Sequence, residues 1–190
     1  MRLALLLLLV FILGGCQASP EVPASEVPAS GASTAEELLQ LGNTKMARGD
    51  LKGAIRDFES GLARRPDHAQ LLLRQGVAYA TQGRLLAAID NYDRALVQQP
   101  KGVEILVQRG LAYYQLQQLQ PAVSDFSQAL SLDVDNTNAL LGRATAYYHQ
   151  GRRSEALADL EAAKAIAIAQ EKPQTLNEVE RRLQSYRSSS

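Results

Sequence analysis

Three kinds of side chain in this 190-residue sequence could do covalent or acid–base chemistry: one thiol, Cys16; two imidazoles, His68 and His149; and three aspartates at one recurring spacing, Asp57, Asp125 and Asp159. A disulfide needs two cysteines, so none forms within the chain, and a cysteine-ligated zinc site lacks its other ligands. His68 follows Pro66 with no partner at metal spacing, and His149 sits beside Gln150 in a polar stretch that reads as solvated. The aspartates stand in one column with Asn91, at separations of 34 residues or multiples of it, so they read as a solvated repeat feature and not as an acid–base pair. No phosphate-binding glycine loop, serine elbow or paired carboxylate appears. With Lys+Arg 20 against Asp+Glu 20 there is no cationic excess for nucleic acid. The expectation is a chain with no enzymatic activity, no cofactor, no metal, no nucleic-acid partner and no small-molecule substrate.

Cys16 is explained by what precedes it. Arg2 is followed by an unbroken apolar run, Leu3 to Leu13. Eleven residues fall short of the ~20 needed to span a bilayer as a helix, but they have the length of a signal-peptide apolar region. Leu13, Gly14, Gly15 and Cys16 then resemble the lipobox of bacterial lipoproteins: an aliphatic residue, two small residues and the cysteine that becomes the mature N-terminus. The resemblance implies that residues 1–15 are removed and that Cys16 is lipidated and acylated. Two or three acyl chains anchor stably where one does not. The alternative is an ordinary Cys16 beside a conventional cleavage after Ala18. Gln17, standing where an inner-membrane retention signal would have Asp, implies sorting to the outer membrane with the protein facing the periplasm. The outer face of the cytoplasmic membrane is the other possibility.

Residues 16–34 change composition to Pro, Ala, Ser, Glu and Val, with Glu-Val-Pro-Ala-Ser twice in succession. Three prolines and no helical period predict an extended tether, which at about 3.1 Å per residue could reach on the order of 50 Å. The duplication could instead be a recognition motif.

Beyond Thr34 the period is 34. Gly42, Gly76 and Gly110 are in step, as are Tyr79, Tyr113 and Tyr147, and Ala54, Ala88, Ala122 and Ala156. So are Phe58, Tyr92, Phe126 and Leu160; Gly61, Ala95, Ala129 and Ala163; and Pro66 and Pro100. Small columns let two antiparallel helices approach, and large columns fill the space between one pair and the next. Gly49, Gly83 and Gly151 mark first-helix ends, and the prolines mark second-helix ends. These columns resemble the tetratricopeptide repeat (TPR), a helix-turn-helix unit. The resemblance implies an all-α solenoid of four units, 35–68, 69–102, 103–136 and 137–170. A further amphipathic stretch at 173–187, with Leu176, Val179, Leu183 and Tyr186 on one stripe, reads as a capping helix. The departures are Lys45 in the tyrosine column, Ala144 in the glycine column, Gln117 for the turn glycine, and Val134 and Ile168 for proline.

In TPR proteins the first helix of each unit lines a concave face. Carried over by position, this gives a candidate peptide-binding groove of Asn43, Leu73, Val77, Val107, Leu111, Tyr114, Leu141 and Tyr148, with both tyrosines as anchors. Val107, Leu111 and Tyr114 share a helical face that differs from the one bearing Leu106, Gly110 and Tyr113. A second apolar stripe is the signature of an interaction surface, unless tight curvature or the C-terminal helix folds over it. Of the five positions with which some TPR domains clamp a C-terminal carboxylate, only Asn43 matches; Leu39, Arg74, Glu104 and Gln108 stand at the others, which disfavours that mode. The resemblance therefore implies a membrane-anchored scaffold or adaptor that binds a helix or peptide of a cell-envelope assembly partner. The alternative is a permanent structural subunit of such a complex. Removing the signal leaves 19 basic against 20 acidic residues, so selectivity rests on the groove more than on long-range charge.

Overall fold

A computed structural model describes residues 33–188, and the lipobox and most of the tether lie outside them. Nine helices form among the described residues: α1 Ala35–Ala47, α2 Leu51–Arg64, α3 Ala69–Thr81, α4 Leu85–Gln98, α5 Val103–Gln115, α6 Leu119–Leu132, α7 Thr137–His149, α8 Arg153–Ala169 and α9 Pro173–Ser188. Each packs on its sequence neighbours, and the first helices α1, α3, α5 and α7 also touch in succession. The result is a one-dimensional stack of helix pairs, closed by α9 against α8.

Local chemistry sets the boundaries. Thr34 and Glu37 form a reciprocal capping box at the start of α1, with bonds of 2.8 and 3.1 Å. Asp50 and Asn136 accept from backbone N–H groups three residues on. His68 does the same through Nδ1, which accepts from Leu71 N–H at 3.3 Å. First helices end where Gly49, Gly83 and Gly151 take φ of 80°, 76° and 76°. Gln117 takes the same left-handed conformation at φ 60° in the third unit. It keeps the same bond to the carbonyl three residues back, at 2.9 Å, so the turn geometry outweighs the cost of a side chain there. Second helices stop before Pro66 and Pro100. α6 stops at Leu132 although Val134 stands in the proline column, whereas α8 runs on through Ile168 to Ala169.

The small and large columns meet inside each unit. A Cβ added at Gly76 would stand 2.5 Å from Tyr92, and one at Gly110 would stand 2.9 Å from Phe126. Gly42 opposes Phe58 in the same way. The fourth unit changes both members together: Ala144 replaces the glycine and Leu160 the aromatic ring, and both are fully buried. The extra methyl on one helix is matched by a smaller side chain on the other.

Tyr92 carries a cost that Phe58 and Phe126 do not. Its hydroxyl is buried with no hydrogen-bond partner, and burial, with Glu104 reinforcing it, pushes its pKa well up. The folded state thus holds a proton that the unfolded chain releases near pH 10, so stability falls as pH rises above about 10. Tyr92→Phe is expected to raise stability by about 1 kcal/mol at neutral pH and to weaken the alkaline loss. Urea melts at pH 7 and pH 10.5 check both.

The aspartate column is not solvated, which corrects the expectation above. Asp57, Asp125 and Asp159 are buried, together with Asn91. Arg109 Nε and Nη2 donate to both oxygens of Asp125 at 2.8 and 2.7 Å, and Arg143 holds Asp159 the same way at 2.8 Å twice. Lys45, in the tyrosine column, reaches Asp57 at 2.7 Å. Arg109 also donates to Asp93 on α4 at 2.6 Å, and Arg143 to Ser127 on α6 at 3.2 Å, so each arginine ties three helices. The bonds to Asp125 push the Arg109 pKa up and outweigh burial, so this guanidinium stays charged to strongly alkaline pH.

Candidate functional site

The concave side divides into two halves. Around α5 and α7 a cleft of about 460 Å³ is lined by Val107, Gln108, Leu111, Tyr114, Asn138, Leu141, Gly142, Thr145, Arg182 and Tyr186. Gly142 lines it, and a Cβ there would strike the buried Phe126 ring at 2.5 Å, so glycine is what lets α7 lie this close to α6 beneath the cleft. Leu111 and Leu141 are half-buried against the core, while Gln108 and Asn138 place amide groups along the rim.

The remaining wall comes from α9. Arg182 Nη1 donates to Thr145 Oγ1 at 2.8 Å and Nε to Glu178 Oε1 at 2.6 Å, which fixes the guanidinium at the edge of the cleft. Tyr186 stacks on Tyr148 with ring centroids 3.8 Å apart and planes within 10°. His149 meets Tyr114 edge-on at 5.6 Å and Tyr148 at 6.0 Å, so four rings connect α5, α7 and α9. Burial, helped by Tyr186 and opposed by Arg182, pushes the Tyr114 hydroxyl pKa up, so this group stays a neutral donor at physiological pH.

The structure brings four of the eight sequence-derived groove residues together in this cleft: Val107, Leu111, Tyr114 and Leu141. Val107 is 5% exposed, and what surface it keeps lies on the cleft. Leu73 is a correction. It is fully buried in the core cluster with Ala35, Leu72 and Ile105, because the first helices touch along the inner side and close over this position. Tyr148 is half-buried with one ring face taken by Tyr186, so it serves the cap as much as the groove. Asn43 is exposed and Val77 half-buried in the other half of the concave side, outside the cleft. There Arg74 pairs with Glu104 at 3.1 Å, so two of the clamp positions neutralise each other. Arg182 and Tyr186 were missed as lining residues: they lie outside the 34-residue register, and the only signal was the length of the apolar stripe on α9.

The cleft can hold an apolar side chain against Leu111, Tyr114 and Leu141 while Gln108, Asn138 and Arg182 offer hydrogen bonds around it. Among the described residues no group of three or more His, Cys, Asp or Glu comes together to hold a metal ion. No described helix is long and apolar enough to cross a membrane.

Three family models match the chain: a tetratricopeptide repeat over residues 39–103, a TPR repeat over 110–151 and a tetratricopeptide repeat over 138–169. None of the curated proteins compared matches significantly. Among solved structures the chain resembles MamA protein, at 21% identity over 80% of this chain and 89% of that one, with a TM-score of 0.64. It also resembles TTC0263, a thermophilic TPR protein in Thermus thermophilus, at 22% identity over 76% and 80% of the two chains, with a TM-score of 0.65. A third likeness is to the first TPR of Spaghetti (RPAP3) bound to an HSP90 peptide, at 21% identity over 64% and 99%, with a TM-score of 0.61. At these identities the likeness is one of fold.

Proposed function

The chain belongs to the tetratricopeptide repeat family, and on that premise we propose that it is a membrane-anchored scaffold whose concave cleft binds an apolar helix or peptide of a cell-envelope assembly partner. TPR proteins are in general non-enzymatic interaction scaffolds. The observation that carries the finer reading is the cleft between α5, α7 and α9, whose apolar floor and amide rim suit a side chain delivered by an extended or helical segment. Anchoring rests on Cys16 and its lipobox, with the outer membrane, periplasmic side, as the place. Confinement at a bilayer raises effective concentration, so modest affinity for the partner suffices.

The test has two arms. Cys16→Ser is expected to abolish acyl labelling and leave unprocessed precursor; normal processing would sink the anchor. Asn138, exposed on the cleft rim, is replaced by a photoreactive phenylalanine in cells, and a discrete adduct is expected that Tyr114→Ala reduces at least tenfold with little change in melting. An adduct insensitive to Tyr114→Ala, or none at all, overturns the cleft as the binding site.

A further inference from the structure

The chain is nearly neutral as a whole, yet one edge of the solenoid is not. At the ends of the first two helix pairs, a cleft of about 630 Å³ is lined by Lys52, Ile55, Arg56, Gln82 and Arg84. Three of its five side chains are cationic and none is acidic. Lys52 and Arg56 are one helical turn apart on α2 and share a face, and both are exposed. Arg84, from the turn between α3 and α4, lies over the Tyr79 ring at 4.2 Å, which orients its guanidinium and leaves its charge in place. The acidic residues close by in sequence are engaged elsewhere: Asp57, next to Arg56, is buried against Lys45, Asp50 caps α2 through Gly53 N–H, and Glu59 accepts from the Tyr79 hydroxyl. Beside Arg84, in the first turn of α4, Leu86 is 71% exposed.

We propose that this edge docks on an anionic phospholipid surface, with Lys52, Arg56 and Arg84 against headgroup phosphates and Leu86 entering the acyl boundary. The combination decides the partner. Cations alone would equally suit an acidic protein segment, but a large exposed apolar side chain at the start of α4, two residues after Arg84, gains nothing from a solvated acidic chain, whereas it is favourable at a bilayer interface. The inference rests on the reading of Cys16 as an anchor, since a tethered protein always has a bilayer within reach. Docking of this edge would then limit the orientations that the concave cleft presents.

The experiment is cosedimentation of the full chain carrying Cys16→Ser, which has no lipid, with phosphatidylcholine vesicles and with equimolar phosphatidylcholine–phosphatidylglycerol vesicles. Binding to the neutral vesicles reports the apolar run at residues 3–13; the increment on adding phosphatidylglycerol reports the basic edge. That increment is expected to vanish at high salt and to fall roughly tenfold to a hundredfold in Lys52→Gln/Arg56→Gln/Arg84→Gln. The charge-conserving Arg56→Lys/Arg84→Lys is expected to keep it, which separates charge from folding. An increment that survives the triple glutamine variant, or is missing from the starting protein, overturns the proposal. If poly-glutamate binds through these three residues and the vesicles do not, the edge belongs to an acidic protein partner instead. Acyl labelling of Cys16 is read separately, so loss of the anchor and loss of the docking edge are distinguishable.

Discussion

Arg109→Ala is expected to destabilise the protein by about 3 kcal/mol, toward the low end of what removing one partner of a buried ion pair costs, because the arginine side chain keeps some solvent contact. The reason lies in what remains. Asp125 is 4% exposed and loses both of its donors, and its charge is then held in an interior that offers no replacement. Thermal melting should fall on the order of 8 °C for a folded domain of this size. The second unit supplies the control, because Gln75 and Asn91 occupy the same two columns there and are both buried. Arg109→Gln with Asp125→Asn transplants that neutral pair and should recover most of the loss. A single substitution that costs under about 1 kcal/mol, or a double variant no better than the single, would show that the pair is a solvated contact.

Gly76→Ala is the second large effect, expected at about 1–3 kcal/mol. The added methyl falls 2.5 Å from the Tyr92 ring, which is itself fully buried and has nowhere to move. Rescue follows from the fourth unit, where Ala144 is accommodated opposite Leu160. Gly76→Ala with Tyr92→Leu should be more stable than the sum of the two single changes predicts, by about 1 kcal/mol or more. Strict additivity in denaturant melts would mean that the two columns do not pack against each other. Since glycine is the poorer helix former, a Gly76→Ala variant that gained stability would also refute the steric reading.

What could be read from the residues was whatever repeats. Gly42, Gly76 and Gly110 gave the close helix approach, Gly49, Gly83 and Gly151 the turns, and Pro66 and Pro100 the second-helix ends, because each is a steric demand that one residue type meets most easily. The ion pairs were not legible in the same way. Asp57, Asp125 and Asp159 looked like a surface column because their partners, Lys45, Arg109 and Arg143, do not form one column: the first is displaced by a helical turn. Leu73 and Val107 occupy equivalent positions, and apolar spacing cannot say how strongly the inner side curves, so the sequence did not separate the wholly buried residue from the one that lines a cleft. Arg182 and Tyr186 lay beyond the register altogether. α8 runs to Ala169, three residues beyond the point at which α2, α4 and α6 stop in the register, and the repeat pattern gives no sign of it.

The bridging arginines also make the stack unequal along its length. Arg109 fastens α4 to α6 through Asp93 and Asp125, and Arg143 fastens α6 to α8 through the Ser127 hydroxyl and Asp159, so the junction between the second and third units carries an ionic tie and the one between the third and fourth a guanidinium–hydroxyl bond. In the corresponding column the first two units have Leu41 and Gln75, which carry no charge, and Lys45 holds only its own unit. In a linear array whose stability is a sum of unit and junction terms, opening begins at the weakest junction. The first helix pair packs on one neighbour only and, among the described residues, shares no ion pair with it, so it is the part that exchanges its amide hydrogens soonest. It is also the part that yields first under tension applied through the preceding segment, acting as a mechanical fuse that leaves the cleft at the far end intact.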